Sequence, residues 1–381
     1  MARTRKVPSS RKVRYAVVGL GYISQSSMLP AFAQATRNSE LVALVSDDAV
    51  KARKLGKRYG VTRLVSYDQY EALLRSGEID AVYIGLPNSM HRDFVVRAAR
   101  RGIQVLCDKP LGGDAREARA MVEACARAGV RLMTAYRLHF EPANLAAVEI
   151  ASGGKLGVLR YFTAQFSMQV KSGNIRLDEE LDGGPMRDIG IYCINAARNL
   201  FRAEPIEVVA QLATRDDPRF AEVEEMASVV LRFPLDRFAS FTCSFGAADA
   251  SSYQLYGTKG SLRLDQAFET KGPKELLVES MQGGGKPTRK QVRKFVAVDQ
   301  FAPLLSHFSD CVLEGRDPAP SGEEGLADLL VIDAVYAAAK SGRRVKLRQQ
   351  AVHGDRADPS RAVSKKQPRK RALFHARAPS R

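Results

Sequence analysis

No stretch of this chain approaches the ~20 consecutive apolar residues of a membrane-spanning helix, so an integral helical membrane protein is not expected. The basic N-terminus lacks the apolar core of a secretory signal. The five cysteines (Cys107, Cys125, Cys193, Cys243, Cys311) form no CxxC pair, and the five histidines are scattered, so zinc-ligand spacing is missing and no metal site is expected. These features point to reduced thiols in a cytoplasmic protein. Fibrous and wholly disordered readings also fail, because 45% apolar content over 381 residues is enough for two or three full-sized cores.

The net charge of +17 suggests nucleic-acid binding until it is divided along the chain. Residues 1–14 contribute +6 and residues 350–381 contribute +7, leaving +4 on the 335 residues between them. The body is nearly balanced, and the excess sits on two tails. The second carries Lys365-Lys366-Gln367-Pro368-Arg369-Lys370-Arg371. Residues 1–12 and 350–381 are expected to be disordered basic tails that aid solubility. Nucleic-acid binding would rest on them alone, without the interleaved aromatics that bases stack on.

From residue 13 to about 137, short apolar runs (15–18, 41–45, 81–86, 104–106, 131–133) alternate with amphipathic stretches (49–59, 91–101, 114–128). That alternation predicts a doubly wound parallel sheet covered by helices. Beyond it, a helix at 142–150 precedes strand-like runs at 159–166, 206–212, 226–233, 238–244, 252–256 and 261–264, then helices at 301–313 and 325–340. Residues 138–349 are therefore expected to form an α+β domain on an open, mostly antiparallel sheet.

Gly19-Leu20-Gly21-Tyr22-Ile23-Ser24 follows the first strand and opens a helix. Gly19 permits the tight turn, and Gly21 lets backbone N–H groups approach a pyrophosphate. The third small position holds Ser24, a departure from the usual Gly or Ala. The second strand ends at Ser46, with Lys51 and Arg53 behind it. A hydroxyl and cations suit a ribose 2′-phosphate, so NADP is the expected cofactor. Asp47 or Asp48 would instead take the ribose of NAD.

Two segments carry the chemistry. Cys107-Asp108-Lys109-Pro110 ends a strand of the parallel sheet, where such folds place their ligands, and a cis bond before the proline is one option. Gly183-Gly184-Pro185 then starts a helix on which Asp188, Tyr192 and Asn195 fall on one face.

Together with Leu86-Pro87-Asn88-Ser89-Met90-His91, Tyr136-Arg137-Leu138-His139 and Gly322-Glu323-Glu324-Gly325, these segments resemble the glucose–fructose oxidoreductase/inositol dehydrogenase (Gfo/Idh/MocA) family. The resemblance runs from about residue 13 to 345 and is closest to the glucose–fructose oxidoreductase branch. It implies a Rossmann domain followed by an open-faced sheet that carries substrate and dimer or tetramer contacts. It implies catalytic roles for Lys109, Asp188 and Tyr192, where many members have His in place of Tyr. It also implies cofactor contacts from Gly19, Gly21, Tyr22, Ile23, Ser46, Lys51, Pro87, Asn88, His91, Asp108 and Lys109. Asp108 stands where the family has Glu, one methylene longer.

The expected reaction is hydride transfer between nicotinamide C4 and a sugar carbon, foremost C1 of an aldopyranose. An alcohol must lose its proton as the hydride leaves. Tyr192 is the expected acceptor, with Lys109 supplying positive charge beside its oxygen. Arg137 and His139, where the chain leaves the nucleotide domain, are expected substrate contacts together with Lys109, Asp188 and Tyr192. Rival readings are a reductase for another carbonyl or polyol, such as a dihydrodiol or keto-inositol, and a non-catalytic nucleotide-binding regulator.

Overall fold

The computed structural model describes residues 11–214, 216–281, 287–348, 357–361, 363 and 365–380. Most of the expected N-terminal tail lies outside these residues. The apolar runs of the first half become six parallel strands: β1 (Val13–Val18), β2 (Ser39–Val45), β3 (Arg63–Val65), β4 (Ala81–Ile84), β5 (Gln104–Cys107) and β6 (Leu132–Thr134). Their order is β3-β2-β1-β4-β5-β6. Helices such as Ala49–Tyr59 and Ala115–Ala128 bury both faces, which is why β1 and β4 read as nearly continuous apolar runs. Each of these two helices is bounded by sequence signals. Asp48 and Asp114 cap their N-termini by accepting backbone N–H bonds, and both end at a left-handed glycine. The strand order reverses between β1 and β4, and that crevice at the carboxyl ends is where the fold places a ligand.

The second sheet has nine strands: β7 (Leu159–Ser167), β8 (Glu207–Ala213), β9 (Met226–Phe233), β10 (Arg237–Ser244), β11 (Ala250–Gly257), β12 (Gly260–Asp265), β13 (Lys274–Met281), β14 (Pro287–Phe295) and β15 (Val345–Lys346). They run in the order β14-β13-β12-β11-β7-β10-β9-β8-β15, antiparallel except for the β7–β10 pair. Along β9 buried and exposed residues alternate, as a half-covered sheet requires. Helices Pro142–Ser152, Ile191–Phe201 and Gly322–Ser341 pack against this sheet. β13 and β14 escape sequence reading because Lys274–Met281 and Pro287–Phe295 are charged outer strands without a clean apolar alternation.

Two expectations about organisation are corrected. Helix Phe301–Glu314 does not belong to the sheet domain. Phe301, Leu304, Leu305 and Phe308 share a core with Tyr15, Val17 and Leu44, the Tyr15 and Ser309 hydroxyls lie 2.7 Å apart, and Arg37 pairs with Asp310 at 2.6 Å. The chain thus returns to the nucleotide domain late, so 138–349 is not one continuous domain.

The second correction concerns the C-terminal tail. Its described residues pack on the body instead of being free. The Lys365 carbonyl accepts from Asp299 N–H (2.8 Å), Gln367 donates to the Thr270 carbonyl (2.7 Å), and Arg361 donates to the Ala319 carbonyl (2.9 Å). Composition misled here because polar side chains bonding to a preformed surface need no periodic apolar face.

Candidate active site

A cleft of about 430 Å³ opens at the switch point and runs to the second sheet. Its nucleotide side begins at Gly19, whose φ of +84° belongs to the left-handed region, and where a Cβ would meet the Gly85 carbonyl oxygen at 2.5 Å. Gly21, by contrast, faces open space, room that a phosphate can use. Ser24 explains its own departure from the usual pattern. Its hydroxyl donates to the Gly19 carbonyl at 2.6 Å and packs so close to Gly85 that a Cβ there would lie 2.7 Å from it. The serine closes the turn that a third glycine would otherwise leave loose.

Ser46 and Lys51 both line the cleft. The two acids that offered an NAD reading are occupied elsewhere. Asp47 accepts from Tyr67 N–H (2.7 Å), and Asp48 accepts from Lys51 N–H (2.8 Å) as a helix cap. The lining of hydroxyl and ammonium without a carboxylate on the ribose side fits a 2′-phosphate.

The catalytic end is built from both domains. The Lys109–Pro110 bond is cis. Lys109 Nζ donates to Asp188 Oδ1 (2.8 Å) and to its main-chain carbonyl (2.6 Å), while Arg176 Nε donates to Asp188 Oδ2 at 2.6 Å. Burial would push the Asp188 carboxyl up, but Arg176 and Lys109 more than offset it and hold it well below the usual range. Burial pulls Lys109 down, yet the charge of Asp188, with that of Asp108, carries it above its ordinary value. At neutral pH, therefore, Lys109 is a fixed cation and Asp188 a fixed anion. Tyr192, 7% exposed, lines the same cleft, with Lys109 Nζ 5.0 Å and the Arg137 guanidinium carbon 4.8 Å from its ring centroid. Phe166 and Phe268 pack against the ring from the sheet.

Local structure sets this arrangement. Met186–Gly190 is a π-turn leading into Ile191–Phe201. Gly183 lies where a Cβ would meet the Arg176 carbonyl at 2.5 Å, and Gly184 N–H bonds that carbonyl at 2.8 Å. The glycine pair lets the loop fold back so that Arg176 reaches Asp188.

Most of the expected contacts lie in this cleft. Gly19, Gly21, Tyr22, Ile23, Pro87, Asn88, Asp108 and Arg137 line it with Ser46, Lys51, Lys109, Asp188 and Tyr192. Asp108 is half-buried at the cleft wall, and desolvation there raises its carboxyl against the pull of Lys109 and His91. Arg137 is also tied to the Phe268 carbonyl (2.5 Å) and Gln300 Oε1 (2.6 Å).

Two expected contacts do not reach it. His91 is fully buried, its ring nitrogens 3.0 Å from the Pro110 and Leu86 carbonyls, so it ties two cleft-lining loops together and touches no ligand space. His139 points away from the cleft, 2.9 Å from Asn195 Oδ1. Asn195 likewise leaves the face shared with Asp188 and Tyr192. It donates to Glu324 (3.0 Å) and Asp328 (2.8 Å), the carboxylates that also bind the fully buried Arg198. The π-turn changes the angular register between residue 188 and residue 195, so straight-helix spacing misplaced it. Sequence reading missed Arg176 and the apolar lining from Phe166, Met168, Ile175 and Phe268. No motif marks a loop arginine that acts through a chain reversal.

Comparisons with known proteins agree with this architecture. Residues 13–136 match the family model described as an oxidoreductase family with an NAD-binding Rossmann fold, and residues 144–263 match the GFO/IDH/MocA C-terminal domain. The chain is 33% identical over 335 residues to D-xylose 1-dehydrogenase (NADP(+)) 2 of Haloferax volcanii, covering 87% of this chain and 99% of that relative. Among solved structures, aldose-aldose oxidoreductase from Caulobacter crescentus superposes with a TM-score of 0.82 at 37% identity, covering 88% of this chain and all of that one. A 3-ketoreductase from Actinomadura kijaniata in complex with NADP and TDP-benzene superposes with a TM-score of 0.77 at 28% identity, over 86% of this chain and 98% of that one.

Proposed function

We propose that this chain, which belongs to the GFO/IDH/MocA oxidoreductase family, is an NADP-dependent sugar oxidoreductase that moves a hydride to and from C1 of an aldopyranose. The observation that carries the reading is the juxtaposition of Lys109, Asp188 and Tyr192 at one end of a cleft whose other end holds Gly19, Gly21, Ser46 and Lys51. Kinship with a xylose 1-dehydrogenase and an aldose-aldose oxidoreductase supports a sugar substrate oxidised at C1.

Gly19, Gly21, Tyr22 and Ile23 would cradle the pyrophosphate, Ser46 and Lys51 the 2′-phosphate, and Pro87, Asn88 and Asp108 the segment leading toward the second sheet. NADP, when bound, supplies the carbon that accepts or returns the hydride. The chain's own groups manage the proton and the sugar. Lys109 stays charged and Asp188 stays ionised across the neutral range, so neither can exchange a proton there. The Tyr192 oxygen, in its phenolate form, would take the proton from the sugar C1 hydroxyl during oxidation, and the phenol so formed would return it during reduction. Lys109 and Arg137 lie over the ring of Tyr192, 5.0 and 4.8 Å from its centroid, so their positive charge favours a negative charge on that side chain. Asp188, gripped from two sides, fixes the ammonium in place. Phe166, Met168, Ile175 and Phe268 give the sugar an apolar wall and exclude water.

Assembly as a homodimer or homotetramer through the second sheet completes the reading. Its uncovered face presents Val209 beside Val230 and Phe238 beside Tyr161, each between 42% and 48% exposed. These two pairs, set diagonally across β9 and β10, form an apolar patch suited to a second copy. The five free, buried thiols support a reducing, cytoplasmic setting. Among the described residues no helix is long and apolar enough to cross a membrane.

A screen of aldoses and polyols with NADP+ and NAD+, followed at the nicotinamide absorbance, tests the function. Turnover of an aldose with NADP+ is expected. Turnover confined to dihydrodiols or inositols would move the substrate assignment, and no turnover with any would overturn it.

A further inference from the structure

The proposed reaction gives no role to residues 371–380, yet they are fastened to both sides of the cleft. On the nucleotide side, Gln25 holds Phe374 by two bonds, its Nε2 donating to the carbonyl and its Oε1 accepting from the N–H, each 2.8 Å long. The same Gln25 Nε2 also donates to the Leu20 carbonyl (2.8 Å), within the turn that faces the pyrophosphate. Arg58 donates to the Ala372 carbonyl at 2.6 Å, and the Phe374 ring lies 4.3 Å from the Arg58 guanidinium carbon and 5.3 Å from Lys54 Nζ. His375 Nδ1 is 2.7 Å from Asp48 Oδ2, the oxygen that Lys51 Nζ approaches at 3.6 Å. On the opposite side, Lys171 N–H, beyond the end of β7, donates to the Pro379 carbonyl at 3.2 Å. Between these anchors, Pro379 and Ser380 line the cleft together with Gly21, Ser46, Lys109 and Tyr192.

We propose that residues 371–380 are a strap across the mouth of the cofactor cleft, closing over the bound dinucleotide and slowing its release. The proposal rests on the NADP reading of the cleft. A segment tied to one domain at Phe374 and His375 and to the other at Pro379 has to lift before a ligand of dinucleotide size can pass. Its fastenings are few enough to open together: the half-buried bonds to Gln25, an exposed bond to Arg58, a ring over two cations and one imidazole–carboxylate contact. The His375 contact also reaches the Asp48 oxygen beside Lys51, so the strap lies one side chain from the cation assigned to the 2′-phosphate. The strap thereby links cofactor retention to a segment outside the two matched family domains.

The test uses the full-length chain and its double variant Phe374→Ala/His375→Ala, which removes the ring and the imidazole and touches no group assigned to the reaction. Protein loaded with NADPH is mixed with excess NADP+, and the loss of bound-NADPH fluorescence gives the dissociation rate. The variant is expected to release NADPH about tenfold faster, the change that ~1.4 kcal/mol of lost interaction produces. Limited trypsin digestion supplies a second readout. Cleavage after Lys370 and Arg371 is expected to slow when NADPH binds the wild-type chain, and to lose that protection in the variant. Equal release rates, with cleavage indifferent to NADPH, would overturn the strap. Failure of the wild-type chain to bind NADPH at all would instead overturn the cofactor reading beneath it.

Discussion

Replacing Tyr192 with phenylalanine removes one oxygen and leaves the surroundings of the ring in place. Phe166 and Phe268 still pack on it, at centroid distances of 5.8 and 6.3 Å, and Lys109 and Arg137 still face it. Fold and NADPH affinity are therefore expected to survive. What disappears is the oxygen assigned to the proton transfer, while Lys109 stays charged and Asp188 ionised beside it. The expected loss is on the order of 10²–10⁴ in kcat, or about 3–5 kcal/mol of barrier. Lys109→Met acts on the same step by removing the ammonium beside the ring. It also withdraws both bonds to Asp188, leaving that carboxylate to Arg176 alone. That variant is expected to lose turnover and some thermal stability, since breaking a buried pair strands the remaining charge. Because the phenol and the ammonium serve one proton transfer, the double variant is expected to be little slower than the poorer single one. Single-turnover kinetics with NADP+ and the best aldose, beside melting curves for all four proteins, measure each term. Near-normal turnover in Tyr192→Phe would refute the proton assignment. Fully additive losses in the double variant would show that Lys109 acts separately, by holding the sugar oxygen itself.

Lys51→Ala is expected to weaken NADP+ by roughly 1.5–3 kcal/mol, the worth of a hydrogen bond to a charged group, while NAD+ is barely affected. A parallel loss for both cofactors, seen in the kcat/KM ratio, would remove Lys51 from the 2′-phosphate. Arg176→Ala takes away one of the two cations that hold the Asp188 carboxyl low, so that carboxyl moves back up toward the ordinary range. The acid limb of the kcat/KM profile is expected to shift to higher pH, and an unmoved limb would make Arg176 merely structural. His307 should make stability pH-dependent. Burial, with Arg361 and Arg316, lowers it from 6.5 to about 4, and its Nε2 accepts from Ala319 N–H at 3.3 Å. Between those pH values the unfolded chain binds the proton and the folded chain does not, so stability is complete above about pH 6.5 and falls as pH drops toward 4. The contribution is up to roughly 3 kcal/mol, and His307→Gln should flatten the melting temperature over that window; an unchanged slope would refute it.

Much of this protein is determined locally and is therefore present in the sequence itself. The helices bounded by Asp48 and Gly60 and by Asp114 and Gly129, the apolar parallel strands and the Gly19–Gly21 turn depend on neighbouring residues, and each lies where its own pattern places it. Lys109 at a strand end and Asp188 and Tyr192 after a Gly-Gly-Pro turn stand out in the sequence, but it is the family resemblance that gives them roles, and the same spacing misplaced Asn195. Other features depend on distant partners, and only the tertiary structure decides them. Asn195 turns inward because the buried Glu324 and Asp328, over 120 residues away in sequence, accept from it as they accept from Arg198, and His139 turns inward to meet Asn195. Arg176 becomes part of the site only because a glycine pair reverses the chain beneath it. Helix Phe301–Glu314 joins the first core because Tyr15 and Phe32 leave an apolar face there for it to cover. The basic tail looks solvated from its composition, but Gln25, Arg58 and Asp48 meet its backbone and its two aromatic rings on a surface that exists only once the rest has folded.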